Sequence, residues 1–153
     1  TYHVVARANR GEFILESDVI KEMLIEVIVQ AKKRFGFELS GICVMDNHLH
    51  LMIRPSSNHS LSRVMQWILS VFALRYNRRF GLIGHVWYDR FKSRVVNGFR
   101  ELIRTFTYIR DNPVLAGLVE NPRSYRYGVS GFIRYGPKEL LDPPAIDLER
   151  TVD

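Results

Sequence analysis

His48 and His50 stand one residue apart in the run Val44-Met45-Asp46-Asn47-His48-Leu49-His50-Leu51-Met52-Ile53. The run is apolar and β-favouring, and side chains on a strand alternate between faces with period two. Both imidazoles must therefore share one face, while Leu49, Leu51 and Ile53 share the other and can be buried. Two imidazoles fixed side by side on a sheet are half of a metal site. The same pair also fits two polar residues on a solvated strand face. A second element favours the chemical reading: Tyr108 and Asn112, four residues apart on a predicted helix.

That helix spans roughly residues 99–111, with Pro113 expected to close it. Its apolar stripe reads Phe99, Leu102, Ile103, Phe106 and Ile109. At about 100° per residue, Tyr108 falls about 140° from Ile103 and about 200° from Phe106, off the stripe. It shares a face with Arg104 and Asn112. A tyrosine flanked by Arg and Asn on the polar side of a helix is suited to meeting a phosphate. Asp46 allows two readings. On a continuous strand it would share the face of His48 and His50 and could orient an imidazole as a hydrogen-bond acceptor. Alternatively, it forms a turn with Asn47.

The elements that must position these residues follow from pattern. Residues 2–8 read as a first strand. Ser17 can cap a helix with apolar positions Ile20, Met23, Leu24, Val27, Ile28, Ala31 and Phe35, stopped by Gly36. Residues 37–45 read as a strand, and the histidine segment follows, ended by Pro55. Ser60 can cap a second helix running to about Phe80 and ending at Gly81. Residues 86–96 look like strand material interrupted around Asp89. The order β-α-β-β-α-β followed by another helix predicts an α+β, ferredoxin-like (RRM-like) antiparallel sheet with helices packed mainly on one face. Residues 1–136 are expected to form the catalytic domain, and residues 137–153, with Pro143-Pro144, an irregular C-terminal tail.

Composition limits the possibilities. The chain has 153 residues, enough for a single domain with a real core. The net charge of +6 and pI near 9.7 favour a polyanionic partner. The basic residues cluster. Between residues 61 and 110 lie Arg63, Arg75, Arg78, Arg79, Arg90, Lys92, Arg94, Arg100, Arg104 and Arg110, opposed only by Asp89 and Glu101. The single Cys43 excludes an internal disulfide and a thiolate metal cluster, and its apolar neighbours suggest a buried thiol. No signal peptide or membrane-length apolar run is evident, so the cytoplasm is expected and no membrane partner is. A chain that begins at Thr1, not Met, is expected to lack its true N-terminus.

Four segments carry a resemblance. Residues 2–11 (YHVVARANRG) are similar to the first strand of the HUH single-tyrosine transposases, a family named for a His–hydrophobic–His motif. Residues 45–51 (MDNHLHL) resemble its histidine strand. Residues 108–119 (YIRDNPVLAGLV) resemble the tyrosine helix of the REP-associated tyrosine transposase branch, and residues 86–93 (VWYDRFKS) a linker of that branch.

The resemblance implies a mechanism. His48, His50 and Asn112 would hold a divalent metal, Mg2+ or Mn2+. Insertion-sequence relatives usually carry Gln where this chain has Asn112. Tyr108 would attack the scissile phosphate and form a 5′-phosphotyrosine, leaving a free 3′-hydroxyl. Because a free tyrosine ionises near pH ~10, it needs activation by metal, base or a positive field, and Arg104 could supply field. The implied substrate is single-stranded DNA beside a small hairpin. Arg75, Arg78, Arg79, Arg90, Lys92 and Arg94 could follow its phosphates, and Trp87, Tyr88 and Phe91 could stack on bases. Relatives include both monomers and homodimers. His3, His59 and His85 are not at ligand spacing with the histidine pair and are expected on the surface or in packing.

Two rival functions follow from the same residues. A non-catalytic nucleic-acid-binding module would present paired exposed aromatics on its central strands, where this chain places His48 and His50. A metal phosphodiesterase using activated water would form no covalent adduct and would tolerate Tyr108→Phe.

Overall fold

A computed structural model describes residues 1–153. The elements are β1 (Tyr2–Arg7), α1 (Asp18–Phe35), β2 (Glu38–Val44), β3 (His48–Arg54), α2 (Leu61–Phe80), β4 (Lys92–Val95), α3 (Gly98–Leu115), α4 (Val129–Tyr135) and α5 (Pro143–Val152). The strands form one antiparallel sheet in the order β2-β3-β1-β4, the expected α+β ferredoxin-like arrangement. The two long helices start where the sequence predicts. Ser17 Oγ accepts from Ile20 N, and Ser60 Oγ accepts from Arg63 N. Gly36 ends α1 with φ +67°, a conformation that costs a side-chain-bearing residue about 1–2 kcal/mol.

The alternation along the strands sorts side chains into two layers. Val4, Ala6, Ile42, Val44, Leu49, Leu51 and Ile53 face α1 and α2, whose Leu24, Ile28, Val64, Ile68 and Phe72 complete the main core. On the other face Cys43, Met45 and Met52 are covered by Phe106 and Ile109 of α3, Val129 of α4 and Leu148 of α5. The expectation of helices on one face thus describes α1 and α2, while α3 takes the opposite face. There the cover lies over β2 and β3, and Arg7, Lys92 and Arg94, along β1 and β4, stay exposed.

Three local expectations are corrected. Residues 137–153 are not irregular, because α5 forms there. Pro143 and Pro144 occupy its first turn, where a missing N–H breaks no helical bond, and Ala145 and Leu148 are buried. Pro113 does not close α3 but lies inside its last turn, and the helix continues to Leu115. Phe99 is exposed, because at the start of α3 it lies ahead of the first buried position, Thr105. No helix is long and apolar enough to cross a membrane.

Candidate active site

Cross-strand partners share a sheet face, so the register assigns the site its floor. His50 pairs with Val5 and Cys43, and Val5 pairs with Lys92. Met52 pairs with His3, and His3 with Arg94. His48 pairs with Arg7. All these side chains therefore face α3's layer. The rings of His48 and His50 stand 4.8 Å apart.

The helix packs on this floor through Ile109, which lies over Gly41 of β2. A Cβ there would lie 3.1 Å from Met52 Cβ and 3.8 Å from Ile109 Cδ1. Ile109 is fully buried, and the residues one before and three after it then edge the histidines. The Tyr108 ring lies 5.6 Å from that of His50 and 5.9 Å from that of His3, edge-on to both. Tyr108 remains about half exposed and Asn112 is buried.

The turn between β2 and β3 decides the two readings of Asp46. The strand is not continuous: Met45 N donates to His48 O across a tight hairpin. Asp46 therefore does not orient a histidine. Its Oδ1 accepts from the buried Lys21 Nζ at 2.7 Å, and Lys21 also donates to Leu15 O and Glu16 O. Asn47 takes the position expected of Asp46, with its Oδ1 2.7 Å from His48 Nδ1. The amide's nitrogen donates to Gly11 O, which fixes the oxygen toward the ring.

His48 consequently faces oxygen at both nitrogens, because its Nε2 lies 3.3 Å from Asn112 Oδ1. Burial lowers its pKa, only partly countered by the Asn112 contact, so the ring is neutral and carries one proton. With that proton on Nδ1, toward the shorter contact, Nε2 would present a lone pair on the side of the Asn112 oxygen. His50 is similarly neutral: burial, and then the charges of His48, His3 and Arg7, push its pKa down to about 3. Its Nε2 is buried without a partner. No three His, Cys, Asp or Glu side chains are placed to hold a metal ion together, so a cation would rest on two imidazole nitrogens and one amide oxygen. That donor set fits one divalent ion, which would satisfy the unpartnered Nε2 and be shared by His48 Nε2 and Asn112 Oδ1.

His3 was expected away from the site, yet its Nε2 lies 3.1 Å from His50 Nδ1. The sequence carries only half of the signal, the alternation along β1; the strand order supplies the rest. In this strand order β1 lies beside β3, and the alternation His3-Val4-Val5-Ala6-Arg7 sends His3 to the face opposite buried Val4.

Beside Tyr108 opens a cleft of about 570 Å³ lined by His3, Arg94, Arg100, Glu101, Arg104 and Thr105, among others. Arg94 is tied to Glu101 and Thr105. Arg100 and Arg104 are exposed and unpaired. Other candidate DNA contacts lie elsewhere. Arg75, Arg78 and Arg79 belong to α2, on the far side of the sheet, and Arg75 meets Gln30 and Glu26 of α1. Trp87 is not a base platform: it is buried, its Nε1 donates to Leu69 O at 3.0 Å, and it bridges Ala8. Phe91 is partly buried against the same core. Tyr88 and Arg90 are exposed beside a groove along α2.

Residues 1–112 match the IS200-like transposase family, and the chain belongs to that family. No curated protein matches. Among solved structures, a REP-associated tyrosine transposase bound to a REP hairpin is similar with a TM-score of 0.72 at 18% identity, over 94% of this chain and 86% of that one. A protein of Deinococcus radiodurans R1 assigned as a transposase is similar with a TM-score of 0.54 at 18% identity, over 69% of this chain and 86% of that one. At these identities the likeness is one of fold.

Proposed function

We propose that this chain is a transposase of the REP-associated type, which cleaves and rejoins single-stranded DNA beside hairpins by tyrosine transesterification. His48 Nε2, His50 Nε2 and Asn112 Oδ1 would hold Mg2+ or Mn2+. When bound, that ion would polarise the scissile phosphate and offset charge that builds in the transition state. Tyr108 Oη attacks phosphorus, and the bond to the 3′ oxygen breaks. The phenol proton leaves to the open cleft, and the departing oxygen takes one up as a free 3′-hydroxyl. The 5′-phosphotyrosine retains the phosphodiester linkage energy, so attack by a 3′-hydroxyl reverses the step without ATP. Arg100 and Arg104 hold backbone phosphates beside Tyr108 and provide the positive field toward which its developing charge moves.

The observation that carries this reading is the opposition of His48 Nε2 and Asn112 Oδ1 beside the unpartnered His50 Nε2, within reach of a half-exposed tyrosine. The test is cleavage and strand joining on end-labelled hairpin oligonucleotides with Mn2+ or Mg2+. Wild type should yield cut and rejoined strands, and Tyr108→Phe neither. Cleavage that persists in Tyr108→Phe would instead indicate a water-using phosphodiesterase.

A further inference from the structure

His3 is a partly exposed histidine on β1 whose ring lies edge to edge with that of His50, with centroids 5.3 Å apart and planes 20° from parallel. Its Nε2 lies 3.1 Å from His50 Nδ1. Two neutral rings in this contact share one proton, and either ring can donate. If His3 donates, His50 must carry its proton on Nε2, an N–H that is buried with no acceptor. A buried donor or acceptor left without a partner costs about 1–3 kcal/mol. If His50 donates from Nδ1, its hydrogen bond is satisfied and Nε2 is left as a lone pair. Both arrangements leave Nε2 without a protein partner, but only the second leaves a lone pair that a cation can satisfy.

We propose that His3 is a positioning residue for His50: by accepting from Nδ1–H, it fixes the tautomer in which Nε2 is free to bind a cation. This inference rests on the cation site proposed above. His3 is not itself a third imidazole ligand, because its Nε2 is turned to the back of the His50 ring. Carboxylates and backbone carbonyls commonly play this part for metal-binding histidines. Here neither is within hydrogen-bond distance of His50 Nδ1, and His3 is its sole partner. The nearly coplanar contact also holds the ring's plane, and the His3 ring meets Tyr108 edge-on, so one side chain abuts both a proposed ligand and the proposed nucleophile.

The test is nitrogen-15 NMR of the full, metal-free chain with labelled histidine, on wild type, His3→Phe and His3→Gln, alongside Mn2+ titration by calorimetry. In wild type, His50 should be the Nδ1–H tautomer. In His3→Phe it should shift toward Nε2–H, and Mn2+ affinity should fall about ten- to a hundredfold. His3→Gln keeps an acceptor oxygen and should restore the wild-type tautomer and most of the affinity. An Nε2–H tautomer in wild type, or an unchanged Nδ1–H tautomer in His3→Phe, would overturn the proposal. Should His3→Phe fail to fold, the wild-type and His3→Gln spectra decide it: an Nε2–H tautomer in either overturns it. A wild type that shows the Nδ1–H tautomer but binds no Mn2+ would refute the cation site while leaving the role of His3 in setting His50 intact.

Discussion

His48 Nε2 on β3 and Asn112 Oδ1 on α3 stand 3.3 Å apart across the sheet–helix boundary. The contact is held from both sides. Asn47 fixes the far nitrogen of His48, and Ile109, one turn before Asn112, is locked above Gly41. With the His48 proton on Nδ1, a divalent cation between the two atoms would satisfy both.

Stability should accordingly respond to cation. Mn2+ at about a hundred times its Kd should stabilise wild type by about 2.7 kcal/mol, read as a rise in Tm. His48→Ala and Asn112→Ala should each remove most of that rise. Equal Mn2+ responses in all three proteins would contradict the assignment.

The metal-free protein should lose stability in mild acid. His50 folds with a pKa near 3, below the ordinary histidine value of about 6.5. Between those values the unfolded chain binds the extra proton and the folded one does not. Stability therefore rises with pH across that window, by about 1.4 kcal/mol per pH unit for this group, and flattens above about 6.5. The lowered pKa values of His3 and His48, both due first to burial, act in the same direction. Urea melts from pH 4.5 to 7.5 should show the slope, and His50→Asn should reduce it.

Arg104 and Arg100 should contribute to DNA affinity through phosphate alone. Each substitution by Ala should weaken binding of single-stranded oligonucleotides whatever their sequence, and lower the slope of log affinity against log salt by about 0.7. An unchanged slope in both would move the phosphate path away from this cleft.

Trp87 and Tyr88 are neighbours with opposite expected effects. Trp87→Ala removes a buried indole and its hydrogen bond to Leu69 O, and should cost about 3–5 kcal/mol of folding stability. Tyr88→Ala should leave stability nearly unchanged. Thermal melts separate the two directly.

These residues also show what a linear sequence carries. The shared face of His48 and His50 was legible because strand periodicity is local. The off-stripe position of Tyr108 was legible for the same reason on a helix, as were the Ser17 and Ser60 caps. His3 was not, because its place beside His50 depends on which strands pair and in what register. Asp46 was open because a run of β-favouring residues does not reveal where it bends, and the bend is fixed by Lys21, some 25 positions away. Trp87 reads as a stacking platform because it stands among Tyr88, Arg90 and Phe91 in a segment that mixes aromatic and basic residues, whereas the indole itself turns into the core. Arg75, Arg78 and Arg79 counted toward a basic middle of the chain, yet α2 carries them to the far layer. The tail beyond residue 136 read as irregular because Pro143-Pro144 breaks most helices but is harmless at the start of one.

The central claim is that Tyr108 becomes covalently joined to DNA. The most direct measurement is peptide mapping by mass spectrometry, after incubation with a hairpin oligonucleotide and Mn2+ and nuclease trimming of the product. The account predicts a 5′-linked nucleotide remnant on the peptide containing Tyr108, absent without metal and absent in a His48→Ala/His50→Ala double variant. Cleaved DNA with an unmodified Tyr108 peptide, or a remnant on another tyrosine, would contradict it.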